Sequence, residues 1–136
     1  MSNRVLLSGL VPLLVVLSGC GGSDVVPVSG TIKLDGVALE GVNVSFNPIA
    51  AGGETEARPA SYGTTDSNGR YELKLVSDDS SGASIGKHRV VLSAQTATGD
   101  ASASPEKIPV HERNKEYEVL EDGTDSADFV LTSEPQ

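Results

Sequence analysis

On both sides of the dipeptide Asp35-Gly36, apolar residues recur at every second position, and that period limits what the chain can fold into more than any other feature does. Before it, Val28, Gly30, Ile32 and Leu34 share one parity and Ser29, Thr31 and Lys33 the other. After it, Val42, Val44 and Phe46 alternate with Asn43, Ser45 and Asn47 as far as Pro48. Alternate side chains of an extended backbone point to opposite faces, so each run reads as a strand with one face in a core and one in water. Asp-Gly suits the two positive φ angles of a tight hairpin turn.

The pattern recurs down the chain. Tyr71, Leu73 and Leu75 point inward from a strand whose outward residues are Arg70, Glu72 and Lys74. Ahead of it, Thr64–Gly69 has turn chemistry: Asp66 can accept from backbone N–H groups, and Asn68-Gly69 can supply a positive φ. His88, Val90, Leu92 and Ala94 form one face of a strand that starts near Lys87, with His88 partly buried and hydrogen-bonded rather than a ligand. Tyr117 and Val119 mark a strand ending at Asp122-Gly123, and Phe129 and Leu131 close the domain. Residues 49–63, 78–86 and 96–109 read as loops. No segment sustains a helical spacing of apolar residues.

Short alternating runs joined by Gly and Asp turns predict an all-β sandwich. Its expected fully buried residues are Ile32, Leu34, Val42, Val44, Phe46, Tyr71, Leu73, Leu75, Val90, Leu92, Val119 and Phe129. With two Phe, three Tyr and no Trp in the chain, that core is mostly aliphatic. Each burial contributes about 1.5–3 kcal/mol, most of it offset by chain entropy.

The first nineteen residues have a different character. Arg4 is the one charge ahead of Val5–Leu17, a run that is almost wholly apolar and contains Pro12. It is shorter than the roughly 20 residues a bilayer span needs and has the layout of a secretory signal. Leu17-Ser18-Gly19-Cys20 then resembles a bacterial lipobox, which implies cleavage before Cys20 and a diacylglycerol on its thiol. Cys20 is the only cysteine, so no intramolecular disulfide can form. A diacylglyceryl Cys, commonly acylated again on its amine (palmitate is a usual chain), satisfies the two-chain requirement for stable anchoring. Gly21-Gly22-Ser23-Asp24 is a flexible tether. From Cys20 to Val25 it reaches about 17 Å at most, which keeps the domain near the headgroups. Gly21, rather than Asp, after the Cys resembles lipoprotein cargo of the outer membrane. The expected organisation is a leader over 1–19, a lipidated tether over 20–25 and one domain over 26–133.

Charge sets limits on partners. The chain carries 10 Lys and Arg against 19 Asp and Glu. Losing Arg4 with the leader would leave −10. Phosphate recognition needs clustered cations, so no nucleic-acid partner is expected. The same charge disfavours lying flat on anionic lipid and leaves the membrane attachment to the acyl chains.

The stretch Val28-Ser29-Gly30-Thr31-Ile32-Lys33-Leu34-Asp35-Gly36-Val37-Ala38-Leu39-Glu40-Gly41-Val42-Asn43-Val44-Ser45-Phe46 resembles the opening of a carboxypeptidase regulatory-like domain. Thr65-Asp66-Ser67-Asn68-Gly69-Arg70-Tyr71 resembles that family's second signature and Ile85-Gly86-Lys87-His88-Arg89-Val90-Val91 its third. The likeness covers residues 26–94 best. His88 stands where the family usually has an aromatic residue, and Ala38 where it often has Pro. The resemblance implies a transthyretin-like, Ig-like seven-stranded sandwich used as a non-catalytic accessory for packing, display or binding. A purine-pathway hydrolase shares that fold, but its Tyr-Arg-Gly-Ser tail has no counterpart in Leu131–Gln136.

Four chemical motifs are fragments. Gly82-Ala83-Ser84-Ile85-Gly86 spells a nucleophile-elbow pattern, yet a strand follows where the elbow needs a helix. His88, Asp100 and His111 lie near or downstream of it with nothing to orient them. His111-Glu112-Arg113-Asn114-Lys115 begins like a zinc helix, but Lys115 takes the place of the second His. A catalytic zinc usually takes three protein ligands, and the chain has two His. Asp66-Ser67-Asn68-Gly69 resembles the front of a calcium loop with only Glu72 close behind. An Asp66-capped turn is the expectation, with calcium at Asp66–Asn68 left open. Asn43-Val44-Ser45 matches a glycosylation acceptor inside an expected strand and is assigned no role.

No polar constellation converges on a reaction. The expectation is a non-enzymatic envelope lipoprotein without cofactor, metal or small-molecule substrate. It is held on the periplasmic or surface face of the outer membrane by lipid on Cys20 and acts as a structural or protein-interaction module. The alternative is a glycan- or peptide-binding module using a sheet edge or loops 49–63 and 95–114, with Tyr62 as the candidate sugar-stacking ring.

Overall fold

A computed structural model describes residues 24–52, 58–94 and 108–135. Cys20 and the whole leader lie outside the described residues, as do most of the stretch 96–109 and Asp100. In chain order the strands are β1 (Val25–Val26), β2 (Ser29–Leu34), β3 (Val37–Ala38), β4 (Val42–Pro48), β5 (Ser61–Thr64), β6 (Arg70–Glu72), β7 (Lys74–Leu75), β8 (Ala83–Ser84), β9 (Gly86–Ala94), β10 (Asn114–Val119) and β11 (Phe129–Leu131). A 3-10 turn, Val110–Glu112, precedes β10. Seven of these strands run to three residues or more, and the other four are two-residue pieces.

They form an all-β sandwich. One sheet has the order β10-β9-β4-β5-β7, with every neighbour antiparallel. The other is built around β2, which takes β11 in parallel and β3 and β6 antiparallel. β1 and β8 pair apart from both. Phe46 of β4 meets Phe129 of β11 edge-on, with ring centroids 6.3 Å apart. The inner faces of the two sheets therefore meet across one core. Asp35 (φ 49°) and Gly36 (φ 84°) make the expected hairpin turn between β2 and β3.

Of the expected core residues, all but Leu34 are buried. Leu34 is the last residue of β2 and only partly covered, because its row partner Val37 lies open to solvent. Val28, Ala83, Ile108, Ala127 and Leu131 complete the core.

Three local readings need correction. Residues 49–63 are not all loop: Ser61–Thr64 is a strand between β4 and β7. Residues 78–86 contain β8, which holds β1. The run Tyr71–Leu75 is two strands: β6 belongs to the β2 sheet and β7 to the five-stranded sheet. The chain changes sheets at Leu73, whose N–H donates to the Val28 carbonyl (2.9 Å) and whose carbonyl accepts from Gly82 (2.7 Å).

Strand directions fix two ends. β9 starts, and β4 and β10 finish, at the end where Ile85 N–H donates to the Asp24 carbonyl at 2.8 Å. The opposite end collects the hairpin turn at Asp35, the start of β4 and β10, and the last residues of β9 and β11.

Candidate functional site

At the Asp24 end the backbone leaves a cleft of about 400 Å³ between Ile49–Ala51 and Ile85–Lys87, with Arg58 and Glu118 on its walls. Arg58 bridges its two sides. One guanidinium nitrogen donates to the Ile85 carbonyl and the other to the Ile49 carbonyl at 2.7 Å. Gly86, at φ +117°, is glycine for two reasons: that backbone angle disfavours side chains, and a Cβ there would run into the Arg58 guanidinium. Arg58 therefore ties the loop after β4 to the start of β9.

His88 follows two residues into β9 on its inward face and is fully buried, more deeply than the partial burial expected of it. Its Nδ1 lies 2.9 Å from the Gly86 carbonyl. Because a carbonyl only accepts, Nδ1 carries the hydrogen. Nε2 is then an acceptor, and among the described residues it has no hydrogen-bond partner. Burial first, and the nearby Arg58 charge as a lesser cause, hold this imidazole below its usual pKa, against an opposing contribution from the Gly86 carbonyl.

The motif fragments are spent on structure. Ser84 is buried in β8, its hydroxyl 3.4 Å from the Pro59 carbonyl, and a strand rather than a helix follows it. His111 is at the opposite end of the sandwich from His88, its Nε2 donating to the Thr132 carbonyl at 3.1 Å. Glu112 is buried beside it and accepts from Thr132 through both the backbone N–H (3.3 Å) and the hydroxyl (3.1 Å). Its other oxygen takes the ammonium of Lys115, the residue standing in the second-histidine position of the zinc-like motif. That hydrogen bond holds the Glu112 carboxyl below the usual carboxylate range. Asp66 caps its turn through one oxygen, which accepts from Asn68 N–H (2.9 Å) and Arg70 N–H (3.0 Å). Among the described residues no three His, Cys, Asp or Glu side chains gather as a metal set.

Tyr62 is on β5, not in a loop. Its ring lies on the outer face of the five-stranded sheet, 42 % exposed, in register with Ser45 and Lys74. The hydroxyl donates to Asp79 at 2.5 Å, and that bond raises the phenol's pKa. Asn43, two rows along, accepts from the Thr64 hydroxyl across the same strand pair.

The sequence pointed to a sheet edge without showing which strand would form it. β10 is the outermost strand, with Asn114, Glu116 and Glu118 exposed and Tyr117 turned in against Phe46 and Phe129 (centroids 5.7 and 6.1 Å). Glu116 pairs with Arg89 and Glu118 with Lys87 in the register with β9. Period two in Asn114–Val119 was the signal available; only knowledge of the strand order makes it an edge.

Compared with protein-family models, with curated proteins and with solved structures, this chain finds no match in any of the three.

Proposed function

We propose that this chain is a non-catalytic, lipid-anchored module of the bacterial cell envelope, built on a carboxypeptidase regulatory-like, transthyretin-like sandwich. One observation carries the reading: Leu17-Ser18-Gly19-Cys20 closes an apolar leader four residues ahead of Asp24, the first described residue, which directly precedes strand β1. A leader, a small-residue cleavage site, a lone thiol and an immediate domain start are the parts a lipoprotein needs.

The anchor also gives the domain an orientation. Cys20 and Asp24 are separated by about 14 Å at most. Because Asp24 is bonded to Ile85, lipid on Cys20 holds the Arg58 cleft against the headgroups. The opposite end, with the turns at Asp35 and Asp66 and the Glu112–Thr132 contact, then faces away from the membrane. The side chains of the motif fragments have structural uses: Ser84, His111, Glu112 and Asp66 all bond within the fold. Gly21 after the Cys favours the outer membrane.

Detergent phase partition of the full-length protein against Cys20→Ala, with the mass of the N-terminal peptide, tests the anchor. The wild type is expected in the detergent phase with a diacylglyceryl mass on Cys20, and the variant in the aqueous phase. Equal partition of the two overturns the reading. Cross-linking in intact cells then identifies what the anchored domain touches, an envelope protein or a glycan.

A further inference from the structure

We propose that the outer edge of β10, which pairs with no other strand among the described residues, receives an extended basic segment of another protein as an added strand. This deepens the reading of the chain as an interaction module and rests on it.

Hydrogen bonding determines which groups the edge presents. Leu92 N–H donates to the Arg113 carbonyl at 2.8 Å, and Arg113 is the residue just before β10. In an antiparallel ladder hydrogen-bonded pairs alternate with non-bonded ones. Lys115 and Tyr117 therefore bond toward β9, and Asn114, Glu116 and Glu118 turn their N–H and C=O groups away from it. Among the described residues nothing bonds to that side. A six-residue strand presents about 20 Å of open ladder. The other sheet margins among the described residues are shorter: β1, β3, β7 and β8 have two residues each, and β6 and β11 have three.

Charge selects the occupant. The three residues with free backbone groups place their side chains on the outer face, two of them carboxylates. Behind them in the same rows are the cations of β9, Arg89 beside Glu116 and Lys87 beside Glu118. A Lys or Arg on an added strand continues each row as cation, acid, cation. An acid there would stand directly opposite a like charge. The inner positions of the added strand fall beside Tyr117, which is only partly covered and forms, with Lys87, Glu116 and Glu118, a hollow of about 160 Å³. The segment that fits thus alternates Lys or Arg with β-branched apolar residues.

A second copy of the chain fits badly. Two-fold pairing centred on Tyr117 sets Glu116 against Glu118, and pairing centred on Glu116 sets it against its own copy. Charged edges of this kind protect sheets from self-association, and here the protecting charges are also the ones that select a basic partner.

The test titrates the full-length protein in detergent micelles with a synthetic peptide alternating Lys with Val and Thr, and with the same peptide carrying Glu for Lys. Hydrogen exchange is read at each amide. The expected result is slower exchange at Glu116 and Glu118 with the Lys peptide only, with binding weakened about tenfold or more in Glu116→Lys/Glu118→Lys, which takes the Glu peptide instead. Unchanged exchange at Val90 and Leu92 shows that the variant is folded. Equal binding of both peptides, protection elsewhere, or no binding overturns the proposal. The same titration on Cys20→Ala separates it from the anchor: edge binding there is independent of lipid, so either claim can fail alone.

Discussion

Tyr71 donates its phenolic hydrogen to the backbone carbonyl of Ala127, 2.5 Å away and 56 residues along the chain. Both residues are buried. The bond crosses β2, since Tyr71 pairs with Gly30 on one side and Ala127 N–H donates to Ser29 on the other. Burial drives the phenol's pKa strongly upward, so it remains a donor throughout the working pH range. Tyr71→Phe leaves the ring in place and the Ala127 carbonyl without this donor. The expected cost is about 1–3 kcal/mol, read as a lower urea midpoint with an unchanged far-ultraviolet spectrum.

Gly30 lies beneath the same contact. A Cβ on Gly30 would fall inside the Ala127 carbonyl, a backbone group that cannot swing aside. Gly30→Ala must push the segment before β11 off β2 and strain the Tyr71 bond with it. Its cost is expected at the upper end of about 1–3 kcal/mol or beyond, exceeding that of Tyr71→Phe. A melting temperature for Gly30→Ala equal to wild type would show that the close approach is not maintained in solution.

The parity of apolar residues made the core legible, and the same parity hid two features. Tyr71, Leu73 and Leu75 all point into one core although β6 and β7 belong to different sheets. A strand that passes from one side of a sandwich to the other keeps its inward set, so alternation carries no trace of the change at Leu73. β5 was illegible for the opposite reason. Its inward residues are Ser61 and Gly63, too small to register as apolar, and Gly63 has to be small because a Cβ there would sit 2.6 Å from the Glu72 carbonyl. The chemical fragments were legible as incomplete, but their structural uses were not. Nothing local in His111–Lys115 announces that Glu112 will bond to Thr132, 20 residues on.

That Glu112 contact fastens the segment after β11 to the turn before β10. Glu112→Ala removes the acceptor for the Thr132 N–H and hydroxyl and strips Lys115 of its ion-pair partner. Hydrogen bonds to a charged group contribute about 1.5–3 kcal/mol, and a loss of that order is expected. Amide exchange should localise it, quickening at Thr132 and Ser133 well before the β4–β9 ladder responds. The carboxyl is held below its ordinary pKa by Lys115, so its contribution is complete above the unfolded value of about 4.5 and fades as pH falls through the lower folded value.

His88 sets a different pH window. Its Nδ1–H is committed to the Gly86 carbonyl, and among the described residues its buried Nε2 has no acceptor for a second hydrogen. The groups around it offer no compensation: the Phe46 ring from β4 at 5.6 Å, the Tyr117 phenol from the paired position on β10, and the like charge of Arg58. The folded pKa therefore lies below the ordinary 6.5. Under acid conditions the unfolded chain takes up a proton that the folded chain resists, and stability falls as pH drops through about 6.5 toward the folded value. Above about 6.5 the effect vanishes. Glu112, Asp35 and Asp78, all held below their ordinary carboxyl values, weaken only in more acid solution. Urea midpoints measured between about pH 7.5 and pH 5.5 should decline for the wild type. His88→Phe removes the ionisable group and keeps the ring packed on Phe46, so its midpoint should be flatter over that range. An equal decline in both proteins would assign the acid sensitivity to other groups and leave the buried imidazole neutral in its effect.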